Sequence, residues 1–162
     1  MSTSLLQLDI IHTGIATLAL LIAGIALCKE GFIKPYHTLG KGYSVLTAIG
    51  CIGSFGLSES KRFTSLGYVI FILILGLLSI AYYLGENVLA KSKAIYLQTF
   101  CMSTTVFLLL IPTAYEILSR LPVGQPIVDS PDSPIIQSLI KVSFVFLITG
   151  LIIQGLKLNK VS

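Results

Sequence analysis

Two histidines occur in the chain, and the first lies where an ionisable side chain is costly. His12 follows Asp9 by three residues, and both fall near the start of a long apolar run. An imidazole changes its charge near neutral pH, so it can carry a proton or bind a ligand. Ionisable groups inside membrane spans are rare and mark functional sites. His12 is therefore a candidate binding or proton-carrying residue; the alternative is a hydrogen bond to a neighbouring helix at headgroup depth.

Small residues predict which way His12 points. On a helix, positions 12, 16, 19, 23 and 26 share one face, and the last four positions are all alanine. Stripes of small residues let membrane helices approach closely. We expect this face, and with it His12, to point into a bundle rather than towards lipid.

A charged pair lies near the end of the fourth apolar run. Glu116 and Arg120 are four residues apart, the spacing of an ion pair along one helix face. Pro112 lies one turn earlier, and we expect it to kink the helix and shape a cavity below Glu116. If successive runs alternate in direction, this pair converges with Asp9 and His12 at one end of a bundle. The alternative is a local ion pair on a single helix, worth about 0.3 kcal/mol.

The second histidine, His37, opens the second apolar run and is a further binding candidate. One span separates it from His12, so we expect the two imidazoles on opposite sides of a membrane, about 30 Å apart. They cannot then bind one haem iron or one metal together. Haem held by His12 and Met102, or a quinone near His12, remains an alternative cofactor. No metal site is predicted.

The composition indicates a protein that lies in lipid. The chain has 162 residues, of which 54% are hydrophobic and 11% charged, with a mean hydropathy of +0.92. Ordinary globular domains are about one quarter charged. Residues 1–162 are therefore predicted to form a single integral membrane domain whose first partner is the lipid bilayer. The net charge of +4 comes from residues between apolar runs, so it predicts membrane orientation rather than nucleic-acid binding.

The apolar runs predict an all-α fold, a polytopic transmembrane helical bundle with five spans. Continuous runs of about 20 residues suit membrane helices, whereas barrel strands are shorter and alternate in polarity. The second run is the shortest and is rich in glycine and serine, so the alternative is four spans plus a short re-entrant helix. The runs cover about Leu5 to Cys28, Leu39 to Leu57, Phe63 to Leu84, Ala94 to Leu118, and Pro134 to Leu156.

Lysine and arginine predict the orientation. With the N-terminus outside, seven basic residues fall in the inner segments and three in the outer ones, and Lys141 lies within the fifth run. Because basic residues concentrate in cytoplasmic loops, the chain is predicted to have its N-terminus outside and its C-terminus in the cytoplasm. The proline-rich loop between the fourth and fifth runs then lies outside, above Glu116.

The entry to the second run resembles a known pattern. Pro35-x-His37-x-x-Gly40-Lys41-x-Tyr43, with His12 upstream, is similar to bacterial predicted membrane proteins of unknown function. These carry a histidine in helix one and an H-R-x-x-G-R-x-Y-type motif entering helix two. The chain has threonine and lysine at the two arginine positions, which weakens bidentate anion binding. The resemblance implies a helical protein of the bacterial cytoplasmic (inner) membrane.

Three functions fit these patterns. The first is binding or conducting a small molecule, ion or proton through an outer polar cavity lined by Asp9, His12, Glu116 and Arg120. The second is a membrane redox subunit that holds haem or quinone. The third is a non-catalytic accessory or assembly subunit of a membrane complex. The expected protein partner is either a second copy of the chain or another membrane subunit. No nucleophile, phosphate-binding or zinc-protease motif occurs, so an enzyme is the less favoured interpretation.

Overall fold

The fold is built from five helices. The structure, a computed structural model, describes residues 3–56, 65–87, 91–123 and 125–159, and the side chains of 10–54, 67–83, 93–123 and 125–159. Within these residues there are no strands, which confirms the predicted all-helical architecture. The helices are α1 (Thr3–Glu30), α2 (Thr38–Gly56), α3 (Ser65–Asn87), α4 (Lys91–Leu118) and α5 (Pro134–Asn159).

The first two helices form a long antiparallel pair. A Cβ on Gly42 would lie 3.9 Å from Ile22, one on Gly50 3.9 Å from Ile15, and one on Gly53 3.9 Å from the His12 ring. As the position on α2 advances, its partner on α1 recedes, so the helices run side by side in opposite directions. The predicted small-residue face is confirmed, because its four alanines are at most 4% exposed.

The remaining helices complete the bundle around α4. This helix packs against α3 most extensively and also against α5 and α1. α5 lies at the periphery, where its buried residues are Ile136, Ser143, Gln154 and Leu158. The core is therefore centred on α1, α2, α3 and α4, and α5 leaves most of its apolar surface outward.

A close backbone contact fixes the turn between α1 and α2. Gly31 ends α1 with a φ of 81°, a conformation that glycine adopts without strain. Nine residues later, a Cβ on Gly40 would lie 1.8 Å from the carbonyl oxygen of Lys34. Glycine is therefore required at both positions. The close approach of Gly40 to the Lys34 carbonyl in the α1–α2 turn explains the glycine of the motif at the start of α2.

Among the residues whose side chains are described, three helices are long and apolar enough to cross a membrane. They are Ile10–Glu30, Lys93–Leu118 and Pro134–Asn159. The segment Gly67–Tyr83 of α3 is a shorter apolar helix. These lengths and compositions support a helical bundle of an integral membrane protein. The three candidate spans are fewer than the five that the apolar runs predict.

Candidate functional site

A cavity of about 260 Å³ lies at the end of the bundle that carries His12. We call it the His12 cavity. The third and fourth turns of α1, the first turns of α3 and α5, the last turns of α4 and the end of the proline-rich loop surround it. Its polar lining consists of His12, Thr13, Thr113, Tyr115, Glu116, Asp132 and Gln137. Its apolar lining includes Ala16, Ile70, Phe71, Leu109, Ile111, Pro112, Ile136 and Ile140.

Neighbouring helices hold the His12 ring. Its Nε2 lies 3.4 Å from the Ser54 hydroxyl of α2, and the ring meets Phe71 of α3 edge-on at 6.3 Å between centroids. The Ser54 hydroxyl also donates to the Gly50 carbonyl over 2.9 Å. Because a hydroxyl has one hydrogen, the serine oxygen then accepts from His12. This direction places a proton on Nε2 of His12.

An ion pair forms the α4 side of the cavity. Arg120 Nη2 donates to Glu116 Oε2, as the spacing of the two residues predicts. Arg120 Nη1 also donates to the Thr13 hydroxyl over 3.4 Å. The Glu116 and Arg120 side chains are 11% and 20% exposed. The pair is therefore largely removed from solvent, and it connects α4 to the turn of α1 next to His12.

The structure brings together three of the residues predicted to converge. His12 and Glu116 line one cavity, and Arg120 is bonded to Glu116 and to the neighbour of His12. Asp9 lies on α1, and its side chain is outside the described residues. The arrangement fits the expected cavity below the proline-rich loop, although a binding role for these residues stays a prediction.

Several contacts of this site were not predicted from the sequence. Ser54 and Phe71 contact His12, and Thr13 contacts Arg120, only because α1, α2, α3 and the end of α4 meet at this height. Asp132 of the proline-rich loop also lines the cavity. Among the described residues, no group of three or more His, Cys, Asp or Glu side chains is arranged to hold a metal ion.

His37 lies at the opposite end of the bundle. Its Nδ1 is 3.3 Å from Glu30 Oε2, and Lys34 Nζ is 3.2 Å from the same oxygen. The His37 side chain is 56% exposed. The 18 residues from His12 to Glu30 rise about 27 Å along α1. The two imidazoles are therefore too far apart to bind one iron, as predicted, and His37 does not belong to the His12 cavity.

Met102 also lies away from the His12 cavity. It is fully buried inside the bundle and is not part of the cavity lining. The 14 residues from Met102 to Glu116 rise about 21 Å along α4. A haem iron held jointly by His12 and Met102 therefore does not fit this arrangement.

Other residues of the α2 entry motif have structural contacts. The Tyr43 side chain is fully buried, and its hydroxyl donates to Thr105 of α4 over 2.9 Å. The carbonyl of Pro35 accepts a hydrogen bond of 2.8 Å from the Tyr82 hydroxyl of α3. With Gly40 against Lys34, these contacts show how the motif joins α2 to α1, α3 and α4.

No protein-family model, curated protein or solved structure matches this chain. The resemblance at the start of α2 therefore stays a prediction.

Proposed function

We propose that the chain is an integral membrane protein with five spans. The polar residues of α2 that lower its hydropathy are inside the bundle, since Tyr43, Thr47 and Ser54 are at most 1% exposed. Its outward residues include Val45 and Ile49, which are at least 50% exposed. α2 therefore presents apolar side chains to its surroundings. Its 19 residues extend about 28 Å, close to the hydrocarbon thickness.

We propose that the His12 end faces outward and the Glu30 end faces the cytoplasm of a bacterial cell. The charge distribution supports this orientation, because basic residues collect on the cytoplasmic side. The lysines near the Glu30 end whose side chains are described are Lys29, Lys34, Lys41, Lys93 and Lys157. At the His12 end, Arg120 is held by Glu116.

In this five-span topology and orientation, the protein binds a small molecule in the His12 cavity. The observation that carries the proposal is that His12 and Glu116, the carboxylate bonded to Arg120, line one mainly apolar cavity. Ligand sites generally combine apolar walls with a few placed polar groups. A volume of about 260 Å³ suits a small molecule with an apolar body and a polar group. The apolar body would lie against Ile70 and Phe71, and the polar group against His12.

His12 is the group that exchanges a proton with the bound molecule. Its hydrogen bond to Ser54 orients the ring, and an imidazole can both accept and donate a proton through its ring nitrogens. Arg120 neutralises Glu116 and positions it at the cavity wall. The ion pair therefore supplies a fixed polar surface, while His12 supplies the group whose charge can change.

This function is tested by purifying the protein in nanodiscs and identifying the small molecules that co-purify with it. We expect mass spectrometry to find a species that is retained by the wild type and lost from His12→Gln and Ile140→Trp. The second change fills the cavity from α5. Two matched controls lie elsewhere: His37→Gln at the other end, and Ile148→Trp at an exposed position of α5 that does not line the cavity.

The controls separate binding from folding. Cys51 and Cys101 are free and buried, whereas Cys28 is exposed. In a Cys28→Ser background, a thiol-reactive dye therefore reports unfolding of each variant. Loss of the species from folded His12→Gln and Ile140→Trp, with retention in both controls, supports the proposal. No retained species in the wild type, or equal retention in all five proteins, contradicts it.

A further inference from the structure

A second concave surface lies between α4, α5 and the end of α1. We call it the α4–α5 groove, and its volume is about 490 Å³. It shares no lining residue with the His12 cavity. Its walls are mainly aliphatic and aromatic; they include Val106, Phe107, Leu110, Phe146, Leu147 and Leu151. The groove therefore presents an apolar surface that is separate from the proposed small-molecule site.

Hydrogen bonds close the groove at the Glu30 end of the bundle. The Ser103 hydroxyl donates to Gln154 Oε1 over 2.9 Å, and Gln154 Nε2 donates to the Gly31 carbonyl over 3.1 Å. These bonds connect α4, α5 and the end of α1. Since both ends of the Gln154 amide are bonded, it serves as the polar floor of this end of the groove.

Lys157 places a cation at the same end. A Cβ on Gly31 would lie 2.7 Å from Lys157 Nζ, so the ammonium lies against the end of α1. The negative end of the helix dipole favours a cation there. Among the residues whose side chains the structure describes, no carboxylate forms a salt bridge with Lys157. The groove thus has an apolar length and one positively charged end.

The length and the charge together indicate the occupant. From Ser143 to Lys157, α5 rises about 21 Å, whereas one leaflet contributes about 15 Å of hydrocarbon. An acyl chain can therefore lie along the groove with its headgroup near Lys157. Anionic lipids of the cytoplasmic leaflet attract basic residues near the membrane surface. We infer that the α4–α5 groove binds an acyl chain of an anionic phospholipid, whose phosphate contacts Lys157.

Native mass spectrometry of the delipidated full chain tests this inference. Phosphatidylglycerol and phosphatidylcholine with the same acyl chains are added separately, and the bound fraction is measured. We expect phosphatidylglycerol to bind more tightly. Lys157→Gln should weaken phosphatidylglycerol binding about fivefold, the effect of roughly one basic residue at a membrane surface. Phosphatidylcholine binding should weaken less, because the choline cation already neutralises its phosphate. Lys29→Gln is the charge control, because Lys29 lies at the same end but outside the groove lining.

A second pair of variants tests the acyl-chain contact. Gly150 lines the groove, Gly155 does not, and a Cβ on either glycine meets nothing within 4 Å. We expect Gly150→Phe to weaken the binding of both lipids and Gly155→Phe to leave the binding of both unchanged. Thiol-dye unfolding curves verify that both variants fold.

Several results would overturn the inference. They are equal binding of the two lipids by the wild type, unchanged phosphatidylglycerol binding in Lys157→Gln or Gly150→Phe, and displacement of the lipid by millimolar inorganic phosphate. The last result would indicate an ion site without an acyl chain. A dimer that disappears in Gly150→Phe, without a bound lipid in the wild type, would instead indicate a second copy of the chain in the groove.

Discussion

The two ends of the bundle each combine a histidine, a glutamate and a basic residue, but they place them in different environments. At the His12 end, Glu116 and Arg120 are 11% and 20% exposed and connect two helices. At the other end, the His37 and Lys34 side chains are 56% and 39% exposed around Glu30. Similar residues therefore form an internal site at one end and a surface cluster at the other.

This difference follows from where the helices meet. His12 lies on a face of α1 that is covered by α2 and α3, whereas His37 precedes α2 in the turn after α1. Surface ion pairs contribute little to stability, while breaking a buried pair leaves a charge without compensation. The comparison predicts that equivalent substitutions have unequal effects at the two ends.

The largest expected effect is at Glu116. Glu116→Ala removes the carboxylate that compensates Arg120 inside the bundle, so we expect the free energy of unfolding to fall by about 3 kcal/mol. The free energy of unfolding is measured by denaturant titration in detergent micelles, in which the thiol-reactive dye reports the unfolded fraction. Glu30→Ala is the matched control and should leave the free energy of unfolding unchanged. Equal losses in the two variants would remove the distinction between the ends.

At the Glu30 end, backbone packing should contribute more to the free energy of unfolding than the charged side chains do. Gly40→Ala forces a methyl group against the carbonyl of Lys34, and we expect a loss of about 2 kcal/mol from overpacking. Gly42→Ala is the control, because its Cβ has no neighbour closer than 3.9 Å. Alanine also has the higher helix propensity, so this variant should be neutral or slightly stabilised. A neutral Gly40→Ala would show that the turn does not depend on this contact.

A smaller effect is expected at the middle of the bundle. Tyr43→Phe removes the buried hydrogen bond to Thr105, which should lower the free energy of unfolding by about 1 kcal/mol. Tyr83→Phe, at a side chain that is 64% exposed, should change nothing measurable. The same detergent titration compares them, and a loss in Tyr83→Phe as large as in Tyr43→Phe would contradict the assigned role of the buried hydroxyl.

Helical periodicity accounts for what could be predicted. The spacing of His12 and the alanines identified the buried face of α1, and the spacing of Glu116 and Arg120 identified their ion pair. Alternating helix directions placed the pair near His12. These features depend on positions along single helices and on the order of the helices.

Contacts between helices could not be predicted in the same way. The bond from His12 to Ser54 requires the α1–α2 register, and the bond from Arg120 to Thr13 requires the height of α4 relative to α1. The α4–α5 groove likewise results from how α5 lies on α4 and the end of α1. No spacing within one segment of the sequence specifies these distances.

The central claim is that His12 lines the same cavity as Glu116, while His37 belongs to the separate cluster of Glu30. The most direct test is the ring NMR signals of the two histidines in the wild type, Glu116→Gln and Glu30→Gln. We predict that Glu116→Gln moves only the His12 signals and that Glu30→Gln moves only those of His37. Unchanged His12 signals in Glu116→Gln, or His37 signals that move equally in both variants, would contradict this account.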